Sequence, residues 1–239
     1  MRELQDFYEE ATHPAIPETD EVRSVLELLR ANLSVPAGAV KILDLGCGPG
    51  ELGSSVRRLL PEARTVGLEW SLPSCRTAKG RGIPVVQASL DGVDLPFSSK
   101  AFDAVILKEV IEHLVDTDQV LAEARRVLVP GGLLLITTPN LAAWFNRILL
   151  LIGVQPVFSE VSLKGIYGRP GSDPVGHLRL FTKRALVDLL HAHGFPEVDV
   201  RGTVFHRTPR GLGWLDRAAS NWPGRAAVLI AHTRKPLTE

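Results

Sequence analysis

Apolar and polar positions along the chain follow two alternating periods. From Asp20 to Leu33 the apolar residues recur at helical spacing, whereas VKILDL at 40–45 is a short apolar run typical of a buried strand. After a glycine-rich turn, the segment 51–60 returns to helical spacing. The pattern therefore predicts a polar arm over residues 1–19, then helix, strand, tight turn and helix, with Asp20 as the N-cap of the first helix.

The same alternation continues along the chain. Apolar strands that alternate with helices favour a parallel sheet covered by helices on both faces, and 239 residues suffice for one α/β domain over residues 1–239. We predict strands at 64–69, 83–89, 102–108 and 131–139, and helices at 72–80 and 117–128.

Residues 140–180 interrupt the alternation. They combine a hydrophobic helix candidate, LAAWFNRILLLIG, with the Gly- and Pro-rich stretch GIYGRPGSDPVG. A connection this long usually serves a function, so we predict a lid over a binding site. The helix candidate is apolar on many faces, which favours packing on the domain, on a partner or on an apolar ligand. Further elements are predicted at 182–193 (a helix with Thr182 as N-cap), 196–205 (extended), 212–220 (a short helix) and 226–233 (a strand).

Charge and cysteine content exclude several functions. The chain carries 27 Lys+Arg and 27 Asp+Glu, so no net charge attracts it to nucleic acid. Cys47 and Cys75 are too few for a disulfide framework or a four-cysteine zinc site, and we expect no bound metal. The first residues contain no signal-peptide-like apolar run, which together with the two cysteines predicts a reducing, cytoplasmic setting.

No segment reaches the roughly 18 uninterrupted apolar residues that span a bilayer. ILLLIGV at 148–154, preceded by Trp144 and Phe145, is similar to a short interfacial anchor. The sequence therefore allows peripheral membrane contact and indicates no transmembrane segment, and it does not define an oligomeric state.

The turn DLGCGPG at 44–50 lies between a predicted strand and a predicted helix. Glycines there let the backbone pass close to a ligand, and the helix N-terminus offers free N–H groups. Gly48, Gly50 and Gly53 also satisfy the dinucleotide pattern G-x-G-x-x-G, and Glu69 follows near the position of the acid that binds a ribose. A nucleotide-like ligand is expected, and an NAD(P)-dependent oxidoreductase is one candidate.

Asp44 separates two kinds of nucleotide ligand. Its carboxylate stands two residues before Gly46, where the pyrophosphate of a dinucleotide would lie, and like charges would repel there. A ligand with a cationic sulfur and an ammonium group would instead be attracted. Asp44 therefore disfavours NAD(P) as the ligand, although the glycine spacing still matches the dinucleotide pattern.

The motifs together resemble the class I S-adenosylmethionine-dependent methyltransferases, in particular the small-molecule methyltransferase domain families. The first motif of that class has the form D/E-x-G-x-G-x-G; Glu69, LPF at 95–97 and VIEHL at 110–114 add to the likeness. The resemblance implies a doubly wound, seven-stranded, mostly parallel Rossmann-like sheet with a lid inserted after strand five. It implies methyl transfer from S-adenosylmethionine to an O, N or C nucleophile of a small or lipid-like molecule.

The resemblance assigns the first cofactor contacts. Gly46, Gly48 and Gly50 would pass beneath the cofactor, and Asp44 would orient its aminoacyl end. Cys47 would contribute chiefly backbone contacts.

A second group would hold the nucleoside part of the cofactor. Glu69 would accept hydrogen bonds from both ribose hydroxyls, and Trp70 would either lie on the adenine face or belong to the core. The adenine-binding acid of the family falls on Ser89, followed by Leu90, and Asp91 is a substitute if its turn brings it inward. Because serine is a weaker acceptor, a non-catalytic binding module that kept the fold is a further alternative.

The remaining expectations concern the reacting end. Lys108 would lie near the sulfonium, and His113 of the family's Glu-His pair would either lie near the methionine part of the cofactor, take a proton from the acceptor, or cap a short helix. Tyr167, His177 and Arg179 are expected to line the acceptor pocket, which in open α/β sheets lies beyond the carboxyl ends of the strands.

Overall fold

A computed structural model of the chain describes residues 19–33, 40–92, 94–171, 174–205 and 211–238. The arm predicted over residues 1–19 lies outside this part except for Thr19. Within it, the predicted alternation of strands and helices is confirmed, with most boundaries shifted by one to three residues.

Seven strands form one sheet in the order β3-β2-β1-β4-β5-β7-β6. Strands β1 to β5 run parallel, and β7 is inserted antiparallel between β5 and β6. The seven-stranded, mostly parallel sheet implied by the resemblance is therefore confirmed. The strands are β1 Lys41–Leu45, β2 Arg64–Glu69, β3 Val85–Gln87, β4 Phe102–Lys108, β5 Leu128–Pro139, β6 Val198–Thr203 and β7 Val228–Arg234.

The helices cover both faces of the sheet. They are α1 Asp20–Asn32, α2 Glu51–Leu59, α3 Leu72–Gly80, α4 Thr117–Val127, α5 Trp144–Leu151, α6 Lys183–Ala192 and α7 Gly213–Ser220, with a 3₁₀ turn at Ile111–His113. Thr182 caps α6 as predicted, since its hydroxyl accepts from the N–H of Ala185.

The predicted cap of α1 is wrong by one residue. Thr19 is the N-cap: its backbone is extended, and its hydroxyl accepts a hydrogen bond from the N–H of Val22 at 3.2 Å. Asp20 instead begins the first helical turn, and its carboxylate pairs with Arg23 at 3.0 Å. Both residue types cap helices, so composition alone did not separate them.

The central strands are buried on both sides. Ile42 and Ile106 pack with the apolar face of α1 and α2, whereas Leu43 and Leu107 pack with α4 and α6 on the opposite face. Side chains of a strand alternate between faces, so double coverage requires apolar residues at successive positions. Coverage of the sheet on both faces therefore explains the continuous apolar runs in the sequence.

The segment after β5 contains α5 and an irregular stretch that returns to the sheet at a bridge between Asn140 and Phe181. Asn146 of α5 is fully buried, where its amide donates to the carbonyl of Asn140 and its Oδ1 accepts from Val157. The opposite side of α5 stays exposed, with Leu150 at 56% and Leu151 at 86%. Across the described ranges, every helix is too short or too polar to cross a bilayer.

Candidate active site

The carboxyl ends of β1 and β2 hold the glycine turn in place. The N–H groups of Gly46 and Cys47 both donate to the carbonyl of Leu68, at 2.8 and 3.1 Å. The carboxylate of Glu69 accepts from the N–H of Gly48 at 2.9 Å with one oxygen and from that of Ser71 at 2.8 Å with the other. Backbone donors on both sides therefore fix the orientation of Glu69.

The three glycines of the turn have different surroundings. All adopt positive φ, at 68° for Gly46, 52° for Gly48 and 79° for Gly50. A Cβ on Gly46 would lie 2.6 Å from Val110, and one on Gly50 would lie 3.0 Å from Ala78, whereas one on Gly48 would meet no atom within 4 Å. Gly46 and Gly50 are thus required by packing, and Gly48 borders open space that a ligand can fill.

Asp44 is a buried carboxylate that lacks full pairing. Asp44 is only 2% exposed, and its Oδ2 atom has no hydrogen-bond partner among the described residues. Burial raises the pKa of Asp44 to about 7; Lys108 opposes this rise and Glu69 adds to it. A cationic ligand group would satisfy the unpaired oxygen, which fits the ammonium and sulfonium of S-adenosylmethionine.

Cys47 and Trp70 flank this region. Cys47 is buried, its sulfur packs against Gly67 of β2, and burial raises the pKa of its thiol, so the side chain serves packing. Both cysteines are free and buried. Trp70 is half-buried directly after β2, and its carbonyl accepts from the amide of Gln87 at 3.2 Å.

The loop after β3 carries Ser89, Leu90 and Asp91. Ser89 is exposed and its hydroxyl accepts from the N–H of Asp91 at 3.1 Å, while Leu90 packs partly against the core. The Asp91 carboxylate accepts from the N–H groups of Val115 and Asp116 at 2.8 and 3.1 Å. One oxygen of Asp91 therefore ties two loops together.

A cluster of buried acids surrounds Lys108 at the end of β4. Its ammonium lies 3.6 Å from Glu21 of α1, whose other oxygen accepts from the hydroxyl of Thr137. Burial works to lower the pKa of Lys108, but Glu21 and three further carboxylates raise it, and the net shift is upward. Lys108 therefore remains protonated, with a positioning or charge-balancing role.

Glu109 occupies a strained backbone position. Its φ is 52°, and its N–H donates to both the carbonyl and the hydroxyl of Thr137, at 3.1 and 3.0 Å. Burial raises the pKa of Glu109 well above its ordinary value, and Glu21 adds to the rise. Left-handed conformations of residues other than glycine are costly and concentrate at functional sites.

Glu112 is 1% exposed and joins two segments. Oε2 of its carboxylate accepts from the hydroxyl of Thr138 at 3.0 Å, and burial raises its pKa to about 8. Its main-chain carbonyl accepts from the N–H groups of Leu178 and Arg179, both at 2.8 Å. The turn after β4 therefore holds the returning end of the 140–180 segment.

The structure brings His113 and His177 together. Their ring centroids are 4.9 Å apart, and their Nδ1 atoms lie 3.1 Å from the carbonyl of Gly176 and 2.9 Å from that of Phe158, respectively. Burial lowers the pKa of His177, so its imidazole is neutral. His113 forms the end of the 3₁₀ turn, which agrees with the expected short helix.

The other two expected pocket residues have different surroundings. Arg179 is exposed, and its guanidinium donates to the carbonyl of Val115 at 2.7 Å. Tyr167 is 60% exposed, with its ring beside Gly165. These contacts tie Arg179 to a loop and leave Tyr167 on the surface, so neither residue gains support as pocket lining.

Sequence reasoning missed Glu21 and Glu160. Glu21 reaches Thr137 across 116 residues, and no local pattern marks it. Glu160 accepts from the N–H groups of Val175 and Gly176 at 2.7 and 2.8 Å and pairs with Arg169 at 3.1 Å. An isolated acid in a Gly- and Pro-rich stretch is the one signal that could have singled out Glu160.

The sheet order, the glycine turn and the acid at the end of β2 define a class I methyltransferase architecture. A methyltransferase domain family matches residues 43–136. The chain is 30% identical to a trans-aconitate 2-methyltransferase of Methylobacterium radiotolerans, over 79% of this chain and 69% of that protein. The chain belongs to the S-adenosylmethionine-dependent methyltransferases, and S-adenosylmethionine is its cofactor.

Two further proteins similar to this chain are also methyltransferases. A demethylmenaquinone methyltransferase of Thermus thermophilus is 34% identical over 44% of this chain and 50% of that protein. A solved S-adenosylmethionine-dependent methyltransferase of Thermotoga maritima, described as a possible histamine N-methyltransferase, has a TM-score of 0.63 at 21% identity, over 90% of this chain and 89% of that one. The chain spans only 36% of the length of another curated match. The names of these relatives give different acceptors, and none of them defines the acceptor of this chain.

Proposed function

We propose that this methyltransferase modifies an O, N or C nucleophile of a small, lipid-like molecule of the quinone type. When bound, S-adenosylmethionine supplies the methyl group of its sulfonium. The observation that carries the proposal is the meeting of two features at one sheet edge: the open cradle at Gly48 beside Asp44, and the turn after β4 that holds the 140–180 segment.

The cofactor-binding residues follow from the contacts at β1 to β3. Asp44 pairs with the ammonium, and Glu69, already oriented by backbone donors, accepts from the ribose hydroxyls with its remaining lone pairs. Trp70, Ser89 and Leu90 border the adenine. The glycines and Cys47 supply the close backbone approach.

Residues 140–180 form the acceptor cover. The bridge between Asn140 and Phe181 closes the base of this segment, and α5 exposes Ile148, Leu150 and Leu151 along one side. Exposed apolar side chains of this kind suit an acceptor with an apolar body or contact with a lipid surface. The Thermus relative acts, by its name, on demethylmenaquinone, which agrees with that chemistry.

Residues at the end of β4 and before α6 hold the acceptor near the methyl group. Lys108 balances the buried acids, and the rings of His113 and His177, whose centroids lie 4.9 Å apart, border the acceptor. Alignment of the reactants and exclusion of water supply most of the acceleration in such a transfer. A cytoplasmic setting agrees with the two free cysteines.

The two alternatives stand differently. Membership in the methyltransferases removes the reason for an NAD(P)-dependent oxidoreductase, which rested on the glycine spacing and on Glu69 near the position of a ribose-binding acid. The non-catalytic module rested on Ser89, whose hydroxyl is already engaged as an acceptor within its own turn. Cofactor affinity is the quantity that separates this module from an active enzyme.

The test has two stages. Calorimetric titration with S-adenosylmethionine, S-adenosylhomocysteine and NAD should show binding of the first two alone. Release of S-adenosylhomocysteine is then followed with demethylated and hydroxylated quinone precursors, and with short acids and amines as controls. Turnover of the quinone-type compounds supports the acceptor class; turnover of the acids or amines alone contradicts it.

A further inference from the structure

A cluster of three side chains lies where the turn after β4 meets the end of the 140–180 segment. Glu112 and His113 come from the turn after β4, and His177 comes from the strip that leads into α6. One ligand-capable atom of each side chain lies within 4.8 Å of those of the other two. Glu112 is buried and both histidines are half-buried, so solvent reaches the group only through the histidines.

Backbone carbonyls orient both imidazoles in the same way. Nδ1 of His113 faces the carbonyl of Gly176, and Nδ1 of His177 faces that of Phe158. A ring nitrogen that bonds to a carbonyl carries the proton, which leaves Nε2 as the electron-pair donor. Histidines that bind metals show this arrangement, in which an outer carbonyl fixes the tautomer.

Glu112 supplies a buried oxygen that the fold does not pair. Thr138 holds Oε2, whereas Oε1 has no hydrogen-bond partner among the described residues and lies 3.9 Å from Nε2 of His113. An unpaired buried carboxylate oxygen is costly, and a cation beside it would remove that cost.

We propose that Oε1 of Glu112 and the Nε2 atoms of His113 and His177 bind one divalent transition-metal ion of the zinc type. Two imidazoles and one carboxylate suit Zn²⁺, Fe²⁺ or Mn²⁺ better than Mg²⁺ or Ca²⁺, which prefer all-oxygen sites. Zinc bonds of about 2.0–2.2 Å place ligand atoms about 3.3 Å apart, so the side chains close by up to about 1.5 Å on binding.

Three protein ligands leave a coordination position for water or another small oxygen ligand. The inference revises the sequence expectation that no metal binds, because that expectation counted cysteines and treated the histidines singly. It goes beyond the proposed acceptor class, since the ion would bind whether or not the acceptor is a quinone.

The experiment measures metal binding directly. Chelator-treated protein is dialysed against Zn²⁺, its metal content is measured by mass spectrometry, and the affinity is determined by competition with a chromophoric chelator. We expect about one equivalent in the parent protein. Glu112→Gln, which keeps an oxygen acceptor for Thr138, and His177→Ala should each weaken binding by at least about tenfold. His191→Ala, an exposed position on α6, is the matched control and should bind as the parent does.

Substitution by Co²⁺ gives a second readout, because its visible absorption reports nitrogen and oxygen ligation. Absence of Zn²⁺ binding in the parent protein overturns the proposal. The proposal is also overturned if the control and both site variants bind Zn²⁺ equally, whether all three lose binding or all three retain it. Binding of Mg²⁺ in preference to Zn²⁺ overturns the transition-metal assignment. Calorimetry with S-adenosylhomocysteine on the same metal-free variants verifies folding and tests the cofactor site separately, so a failure of the metal site is distinguishable from a failure of the proposed function.

Discussion

The two regions that the proposed function assigns to the methyl donor and to the acceptor are built in different ways. The donor region consists of 44–50 and 68–71, two stretches close in sequence: the N–H groups of Gly46 and Cys47 donate to the carbonyl of Leu68, and the Glu69 carboxylate accepts from the N–H of Gly48. The acceptor region gathers Glu21, 108–113 and 158–179 from three distant parts of the chain: Glu21 pairs with Lys108, and the N–H groups of Leu178 and Arg179 donate to the carbonyl of Glu112. The first region is set by local sequence, whereas the second depends on contacts between segments that are far apart in the sequence. The two regions should therefore respond separately to substitution.

The largest effect is expected in the acceptor region. Glu160→Ala leaves Arg169 as an unpaired charge, in a pair whose side chains are 2% and 5% exposed, and removes the acceptor for Val175 and Gly176. Breaking such a buried pair costs about 3–5 kcal/mol. Hydrogen exchange should accelerate across 160–177 while affinity for S-adenosylhomocysteine stays unchanged.

The control is Asp188→Ala, which removes an exposed pair with Arg184 and should change exchange little. Faster exchange in 44–50 as well would show that the two regions are not independent.

Two glycine variants divide packing from ligand binding within the donor region. Gly46→Ala places a methyl 2.6 Å from Val110 at positive φ, and should lower the free energy of unfolding by about 2–4 kcal/mol. Gly48→Ala carries the strain of positive φ without a clash and should cost about 1 kcal/mol of stability. Its methyl enters the open space, so cofactor affinity should fall by more than stability does. Denaturant titration measures the stability of both variants, and calorimetry measures their cofactor affinity. If the ratio of lost affinity to lost stability is the same in Gly48→Ala as in Gly46→Ala, Gly48 lies outside the cofactor site.

The carboxylate of Glu69 should account for part of the donor affinity. Glu69→Ala removes charge-assisted bonds to the ribose and releases the N–H of Gly48, and should weaken S-adenosylmethionine binding by about 1–3 kcal/mol. Glu62→Ala, at an exposed position before β2, is the control. Unchanged affinity of Glu69→Ala in calorimetry would mean that Glu69 is misassigned.

The smallest predicted effect is a pH dependence in the donor region. The pKa of Asp44 is raised from 3.8 to about 7, so the side chain loses its charge as the pH falls from 8 to 6. Pairing with the ammonium needs the charged form, and S-adenosylmethionine affinity should fall by about tenfold over this range, about 1.4 kcal/mol. Asp44→Asn should bind S-adenosylmethionine weakly at both pH 6 and pH 8, and its affinity should no longer show the part of the pH dependence that comes from Asp44.

The same shift has the opposite sign for folding. Because the folded pKa exceeds the unfolded one, the contribution of Asp44 to stability is present at acidic pH and is lost as the pH rises through about 7. The ligand-free Asp44→Asn variant should therefore melt above the parent protein at pH 8. A lower melting temperature would indicate that Asp44 is paired in the fold.

The strand, turn and helix around 44–50 were predicted correctly because their information is local, and the roles of these residues toward the cofactor stay predictions. The turn at 44–50 and the acid at the end of β2 follow from strand, glycine and helix signals within about thirty residues. The seven-stranded sheet came from the family resemblance together with the alternating periods. The placement of β7 between β5 and β6 has no local signal.

The contacts within the acceptor region could not be predicted from the sequence, and the roles of its residues stay predictions. His113 and His177 were each singled out, but their contact and the shared tautomer arise from carbonyls that no sequence pattern specifies. The strained φ of Glu109 likewise results from two bonds to Thr137 on the neighbouring strand. Loop conformation decided these features, and periodicity carries no information about it.

The reach of Glu21 from α1 into the site has an evolutionary consequence. The shared domain covers residues 43–136, whereas Glu21, His177 and Glu160 lie outside it. Under the proposed function, substitutions in these flanking segments would change the surroundings of the acceptor and leave the turn at 44–50 as it is. Such a division would allow the choice of acceptor to change during evolution while the methyl donor stays the same.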